Sequence, residues 1–248
     1  MSNNIASLSE PTIADRASAL SLSLVVFAYN EALNVPTVLA EILVWLNTRK
    51  GPWQLVFVDD GSTDDTLALA REVCGDDSRC VFVSHATNRG IGAALKSGHR
   101  ASSERFMTFL PCDGQIPVHE LDKLCEAAVS SNVKVVFSVY PNRDDGLHRT
   151  ILSAAVRTLI YAVHQVRMRS DGPYLVDRAL FDPAILVPNT FFLNFEFPIR
   201  MLRAKEPSAT VEIACVPRRA GVSKSTGIKR IVGVGRELLG LKWRLLRA

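Results

Sequence analysis

The stretch Gln54–Thr66, QLVFVDDGSTDDT, decides the fold. Its first five residues form a short run rich in β-formers without apolar–polar alternation, the pattern of a strand buried on both faces. The run stops at Asp59-Asp60-Gly61-Ser62, a set of turn and cap residues. A helix then opens at Asp64, with carboxylates in its first turn where the helix dipole favours them. The same strand–polar turn–helix unit recurs on either side. Ser23–Tyr29 (SLVVFAY) leads through Asn30-Glu31 into a helix with apolar positions Val35, Val38, Leu39, Ile42, Leu43 and Leu46. Cys80–Ser84 (CVFVS) leads into a glycine-opened helix over Asn88–Gly98, and Arg105–Leu110 (RFMTFL) into a helix over Pro117–Ser130. Val133–Tyr140 is a further strand. Buried strands separated by helices give an α/β fold with a doubly wound, mostly parallel sheet.

Past residue 140 the pattern loosens. A long helix with scattered arginines is expected over Leu147–Arg169, irregular chain with one short strand over Asp171–Phe181, a helix over Glu196–Lys205 and a strand over Ala209–Pro217. Thr226–Ala248 carries ten apolar residues interleaved with Lys229, Arg230, Arg236, Lys242, Arg244 and Arg247 against the single acid Glu237, a basic amphipathic helix. The domain reading is therefore a flexible tail, loose or with a short helix, over 1–20, one domain over 21–225 and the amphipathic helix over 226–248.

Composition removes several classes. At 48% hydrophobic residues and a net charge of +4, the 248-residue chain is not disordered. Five cysteines, widely spaced and without a C-x-x-C pair, fit reduced thiols rather than a disulfide scaffold or a zinc cage. The basic excess is too small to point to nucleic acid, and none is expected as a partner. The first twenty residues carry Glu10 and Asp15 and lack a signal peptide's basic start, and no apolar run approaches the roughly 18 residues that span a bilayer. The five histidines show no metal-ligand spacing and receive no role.

Doubly wound sheets bind ligands beyond the carboxyl ends of their strands. Four polar clusters fall there: Tyr29-Asn30-Glu31, Asp59-Asp60-Gly61-Ser62, Asn88-Arg89-Gly90 and Cys112-Asp113-Gly114-Gln115. Any one alone reads as a capped turn, but four on one sheet edge read as a site. No G-x-G-x-x-G follows the first strand, which disfavours a dinucleotide.

The stretches VVFAYNEALNV, VDDGSTDDT, NRGIGAALKSG, CDGQ and RRAGVSKST, in this order, resemble the family 2 glycosyltransferases, whose fold is the A-type nucleotide-sugar transferase fold. The chain is most similar to their branch acting on polyprenyl or dolichyl phosphate. The resemblance implies transfer of a sugar from a nucleotide-diphosphate sugar, GDP-mannose or a UDP-hexose, with inversion at the anomeric carbon. It places Ala28, Tyr29, Glu31, Asp59, Asp60 and Asp113 at the donor, where carboxylates accept hydrogen bonds from base N–H and ribose hydroxyls. It also implies a divalent cation, Mg²⁺ or Mn²⁺, on a D-x-D motif. That motif is Pro111-Cys112-Asp113 here, leaving Asp113 and Gln115 as metal ligands, and Ile91 stands where the family has a lysine.

Arg219 and Lys224 match the family's late basic motif, expected over the phosphates where leaving-group charge develops. Arg143 and Arg149 resemble the arginines directed at an acceptor phosphate, with Arg157 a weaker candidate. Glu196 is expected as a catalytic base or positioning residue beside Asp113, and Asp171 matches its loop only in part. The acceptor is expected to be a polyprenyl phosphate, met at the cytoplasmic face of a membrane to which the basic helix attaches the protein peripherally. A soluble or polysaccharide acceptor is the alternative, and Pro111 leaves open a degenerate, non-catalytic nucleotide-sugar-binding protein.

Overall fold

The computed structural model describes residues 10–141, 146–219 and 228–247, with side chains described from residue 154 in the helix that opens the second stretch and from 233 in the last helix. In chain order the elements are α1 (Ile13–Ser18), β1 (Leu22–Ala28), α2 (Val35–Asn47), β2 (Trp53–Asp59), α3 (Thr66–Cys74), β3 (Cys80–Ser84), α4 (Ile91–Ala101) and β4 (Phe106–Pro111). They continue with α5 (Leu121–Ser130), β5 (Val135–Val139), α6 (Gly146–His164), β6 (Leu175–Asp177), α7 (Leu193–Arg203), β7 (Ser208–Glu212) and α8 (Ile228–Arg247). Short 3-10 turns precede α5 and follow β6.

The seven strands order as β3-β2-β1-β4-β6-β5-β7. Among the described strands only β6 runs antiparallel to its neighbours, β4 and β5; the other pairings are parallel. Strand order reverses between β1 and β4, so the chain leaves their paired carboxyl ends toward opposite sides and a crevice lies beyond them. Alternate residues of β1 serve two cores: Leu22, Leu24 and Val26 pack under α2, α3 and α5, while Val25 packs with Leu95 of α4 and Phe197 of α7. A third cluster joins Ile160 of α6, Phe192 and Ile199 beside and within α7, and Leu238 and Leu241 of α8.

Over the described part of 1–20 the chain is the short helix α1 rather than a loose tail. Thr12 and Asp15 form a reciprocal capping box at the start of α1, Ala17 is buried, and Arg49 donates to the Ala17 and Leu20 carbonyls at 3.2 and 3.0 Å. The C-terminal helix is where the sequence places it, but it is docked onto the body. His164 Nε2 lies 3.1 Å from the Leu238 carbonyl, and Arg244 reaches Glu196 at 2.7 Å. Among the described residues no helix is long and apolar enough to cross a membrane.

Candidate functional site

The crevice wall begins with β1. Ala28 ends it, and its carbonyl accepts the Asp60 N–H at 2.8 Å. Asn30 takes the left-handed conformation at φ 53°, which its short side chain tolerates. Its N–H donates to Ser62 Oγ at 2.9 Å, and its Oδ1 accepts from Thr63 N at 2.8 Å. The Glu31 N–H donates to Thr66 Oγ1 at 2.8 Å. The Tyr29–Glu31 and Asp59–Thr66 loops are thus laced into one surface, on which Tyr29 is half-buried.

The two adjacent acids of VDDGS have different circumstances. Asp59 is 4% exposed; Ser62 N bonds its Oδ1 at 3.1 Å, and Ser84 Oγ reaches its Oδ2 at a long 3.3 Å. That oxygen keeps capacity for a ligand. Asp60 accepts from Arg89 N at 2.9 Å and Gly90 N at 2.8 Å, and its Oδ1 meets His85 Nδ1 at 2.6 Å. Asp60, expected at the donor, spends its carboxylate on the protein.

Across the crevice, Asp113 follows β4. Burial holds its carboxyl above the ordinary range, and Glu31 adds to the rise, while the Gln115 N–H at 3.1 Å and the Arg218 guanidinium oppose it. Glu31 and Asp113 therefore feel each other electrostatically, and Arg218 lies between their fields, paired with Glu31. Gln115 is held at the crevice as well, its carbonyl accepting Val216 N at 2.8 Å and so docking the 216–219 segment. Gly114 lets that segment approach: at φ +69° any side chain is strained, and an added Cβ would lie 3.1 Å from Arg219 Cδ.

The donor atoms at the crevice decide whether a divalent cation fits. Pro111 offers no oxygen ligand, and Cys112, 1% exposed, keeps its proton because burial pushes its thiol far up. Among the described residues no three His, Cys, Asp or Glu groups converge. Asp113 and the Gln115 amide are hard oxygen donors, and they fit a Mg²⁺- or Mn²⁺-type ion that draws its other ligands from phosphate and water.

Several expected residues have other partners. Arg219 lies against Gly114 but spends its guanidinium on Glu41 of α2 through bonds of 2.8 and 2.9 Å, while its neighbour Arg218 pairs with Glu31 at the crevice. Sequence reasoning missed Arg218, although it stands in the same RRAGVSK stretch. Glu196 is wholly buried in α7, its Oε1 taken by Arg200 at 2.8 and 2.9 Å and its Oε2 by Arg244 at 2.7 Å. A carboxylate enclosed in this way cannot reach an acceptor proton without breaking both pairs, so the structure corrects the expectation of a base. Arg157 pairs with Asp171 at 2.6 Å. Arg143 and Lys224 lie outside the described residues, and of Arg149 only the backbone, within α6, is described.

The glycines of NRGIGAA also have a local reason. Added Cβ atoms at Gly90 and Gly92 would lie 2.7 Å from Asn189 O and 2.6 Å from Thr190 O, and Asn189 O accepts the Ala93 N–H at 3.2 Å. The start of α4 receives the 188–190 segment, and Asp60 holds its other side.

Comparison with known proteins agrees with this geometry. An undecaprenyl-phosphate 4-deoxy-4-formamido-L-arabinose transferase of Pectobacterium atrosepticum is 30% identical over 158 residues, 63% of this chain and 46% of that protein. A dolichyl-phosphate beta-glucosyltransferase of Trichomonas vaginalis is 30% identical over 182 residues, 68% of this chain and 56% of that protein. The chain spans about half the length of these relatives. Among solved structures, glucosyl-3-phosphoglycerate synthase of Mycobacterium tuberculosis, crystallised with Mn²⁺, UDP and phosphoglyceric acid, superposes with a TM-score of 0.67 at 21% identity, covering 93% of this chain and 81% of that one. Mannosyl-3-phosphoglycerate synthase of Rubrobacter xylanophilus gives 0.68 at 17% identity, covering 96% and 78%. These likenesses establish the fold, the A-type α/β arrangement. The family model described as Glycosyl transferase family 2 matches residues 23–187, more than half of the sequence, and the chain belongs to that family.

Proposed function

We propose that this chain is an inverting glycosyltransferase that moves one sugar from a nucleotide-diphosphate sugar to a polyprenyl phosphate at a membrane surface. The observation that carries the reading is the meeting of Glu31, Asp113 and Arg218 at the crevice where the strand order reverses. Relatives named for undecaprenyl and dolichyl phosphate support the acceptor class.

In this reading Asp59 and the Tyr29–Glu31 loop hold the base and ribose. Asp113 and Gln115 would hold Mg²⁺ or Mn²⁺, which neutralises diphosphate charge when bound. Arg218 stabilises the charge that gathers on the β-phosphate as the anomeric C–O bond breaks. The attacking oxygen of a phosphate acceptor is already anionic, so the transfer needs no general base, in keeping with the enclosure of Glu196. Arg143 and Arg149 are proposed at the acceptor phosphate and Lys224 at the leaving diphosphate, as the resemblance implies. The donor is GDP-mannose or a UDP-hexose.

Helix α8 supports a peripheral, cytoplasmic-face attachment. Its inner stripe, Leu238 and Leu241 with Val234 and Leu245, is used in packing. A second stripe, Leu239, Trp243 and Leu246, is exposed, and Arg236, Lys242 and Arg247 beside it are exposed as well. Apolar residues with an aromatic ring and flanking cations suit an anionic bilayer surface.

The test is thermal-shift titration with GDP, UDP, CDP and dTDP, each with Mn²⁺, Mg²⁺ or EDTA, followed by transfer from the matching nucleotide sugar. A stabilising nucleotide and product that partitions into organic solvent are expected. Product remaining in water would point to a soluble acceptor. No shift with any nucleotide would favour the non-catalytic reading that Pro111 raises.

A further inference from the structure

A buried Asp–His–Ser chain lies directly behind the proposed donor pocket. His85, 8% exposed, follows β3; its Nδ1 stands 2.6 Å from Asp60 Oδ1, and its Nε2 stands 2.9 Å from Ser97 Oγ on α4. Asp60, 5% exposed, accepts in addition the N–H groups of Arg89 and Gly90. A carboxylate can only accept, so the Nδ1–H donates to Asp60, and Nε2 shares a hydrogen bond with the Ser97 hydroxyl.

Such a chain could be read as an activated serine, but Ser97 does not suit that role. It sits in the middle of α4, where neighbouring backbone N–H groups are committed to the helix and cannot form an oxyanion hole. The arrangement fits a frame instead. The His85 backbone N–H donates to the Asp59 carbonyl at 2.9 Å, and Gly61, at φ +78°, lies so close to Thr87 that an added Cβ would be 2.3 Å from its carbonyl carbon. On the far side Gly90 abuts Asn189 O. The 88–90 turn is therefore clamped between Asp60 and the 188–190 segment, and the Asp59 loop is braced against the same turn. Asn88 and Arg89 are left exposed at the carboxyl edge of the sheet.

We propose that His85 is a positioning residue of the donor site, setting through Asp60 the place of the Asn88–Gly90 turn and of the Asp59 carboxylate that receive the nucleoside. The inference rests on the donor-site reading above and deepens it: Asp60 acts on the donor only through the backbone it holds.

The full chain is tested as His85→Ala, His85→Asn and Ser97→Ala, with nucleoside-diphosphate binding by calorimetry and steady-state transfer at a temperature where each variant is folded. Asparagine keeps an N–H for Asp60, whereas alanine keeps nothing. His85→Ala is expected to raise the donor KM and the nucleotide Kd at least tenfold with kcat and acceptor KM within threefold. His85→Asn should return donor KM to within threefold of wild type, and Ser97→Ala should raise it two- to fivefold. Unchanged nucleotide affinity in a folded His85→Ala protein overturns the proposal, as does a loss shared equally by kcat and both KM values. If His85→Ala does not fold, Ser97→Ala decides the matter, and an unchanged donor KM in that variant overturns the proposal. If the wild-type chain binds no nucleotide, the donor-site reading itself fails and takes this inference with it.

Discussion

Arg244 of α8 reaches into the body to Glu196 of α7 at 2.7 Å, and that carboxylate has no exposure to solvent. The contact converts a surface helix into part of the fold: without Arg244 the buried Glu196 keeps only Arg200, and without Glu196 two guanidinium groups lose their shared carboxylate. Breaking one side of a buried pair costs about 3–5 kcal/mol. Arg244→Glu, which places two carboxylates together, should cost at least as much as Glu196→Gln, and urea denaturation will read both. Exposed cations of the same helix, Arg236 and Lys242, should tolerate the change to Glu within about 0.5 kcal/mol.

The two stripes of α8 separate packing from any lipid contact. Leu238→Ala should destabilise by about 2–5 kcal/mol, since its side chain is fully buried. Trp243→Ser, at a residue 58% exposed, should leave the melting temperature almost unchanged and reduce co-sedimentation with anionic vesicles several-fold. Vesicle binding unaffected by Trp243→Ser together with Arg236→Glu and Lys242→Glu would remove the membrane from the proposed function.

Arg218 and Arg219 are neighbours with different partners, Glu31 and Glu41. Arg218→Ala is expected to lower transfer at least tenfold. Arg219→Ala should change it less than threefold and barely move stability, because an ion pair this exposed contributes little. Steady-state rates with saturating acceptor decide between them.

Asp113 combines its proposed role with strain of an electrostatic kind. Its carboxyl titrates above the ordinary range, so the folded state holds its proton more tightly than the unfolded chain does, and ionisation at neutral pH costs stability. Asp113→Asn should raise the apo melting temperature by about 1–3 °C while abolishing donor turnover. A lowered melting temperature would contradict the burial argument.

His164 predicts an acid limit. Burial lowers its pKa, its Nε2–H donates to the Leu238 carbonyl, and its Nδ1 has no partner among the described residues. With the folded value below the unfolded one, the unfolded chain binds more protons as pH falls. The stability contributed is complete above the ordinary histidine value of about 6.5 and is lost as pH drops through and below it. Melting temperatures from pH 7.5 to 5 should show this fall, and His164→Gln should flatten it.

The strands were legible because burial leaves unbroken apolar runs: β1, β2, β4 and β5 are buried almost throughout, and β3, half-buried at the sheet edge, keeps the same pattern. The short strand expected within 171–181 is β6, but its inverted direction was not legible, since three residues carry no periodicity and their direction is set by the neighbours they join. The crevice was legible as a cluster of acids, but the assignment within it was not. Asp59 and Asp60 are adjacent, as are Arg218 and Arg219, and one step along the chain turns a side chain toward a different surface. His85 was passed over for lack of metal spacing, since its partner Asp60 lies 25 positions earlier and is brought to it only by the sheet. The amphipathic pattern of α8 shows two apolar stripes without saying which one the body covers.

The first described segment sets how far the chain can be shortened. Gly51 lies so near the Ala19 carbonyl that a Cβ there would be 2.3 Å from its oxygen, and Arg49 is tied to the Ala17 and Leu20 carbonyls. Deletion up to Ser9 leaves these contacts in place. Deletion up to Leu20 uncovers the turn between α2 and β2 and leaves the Arg49 guanidinium without its two carbonyls, so a minimal folded fragment has to begin ahead of Thr12, not at the first strand.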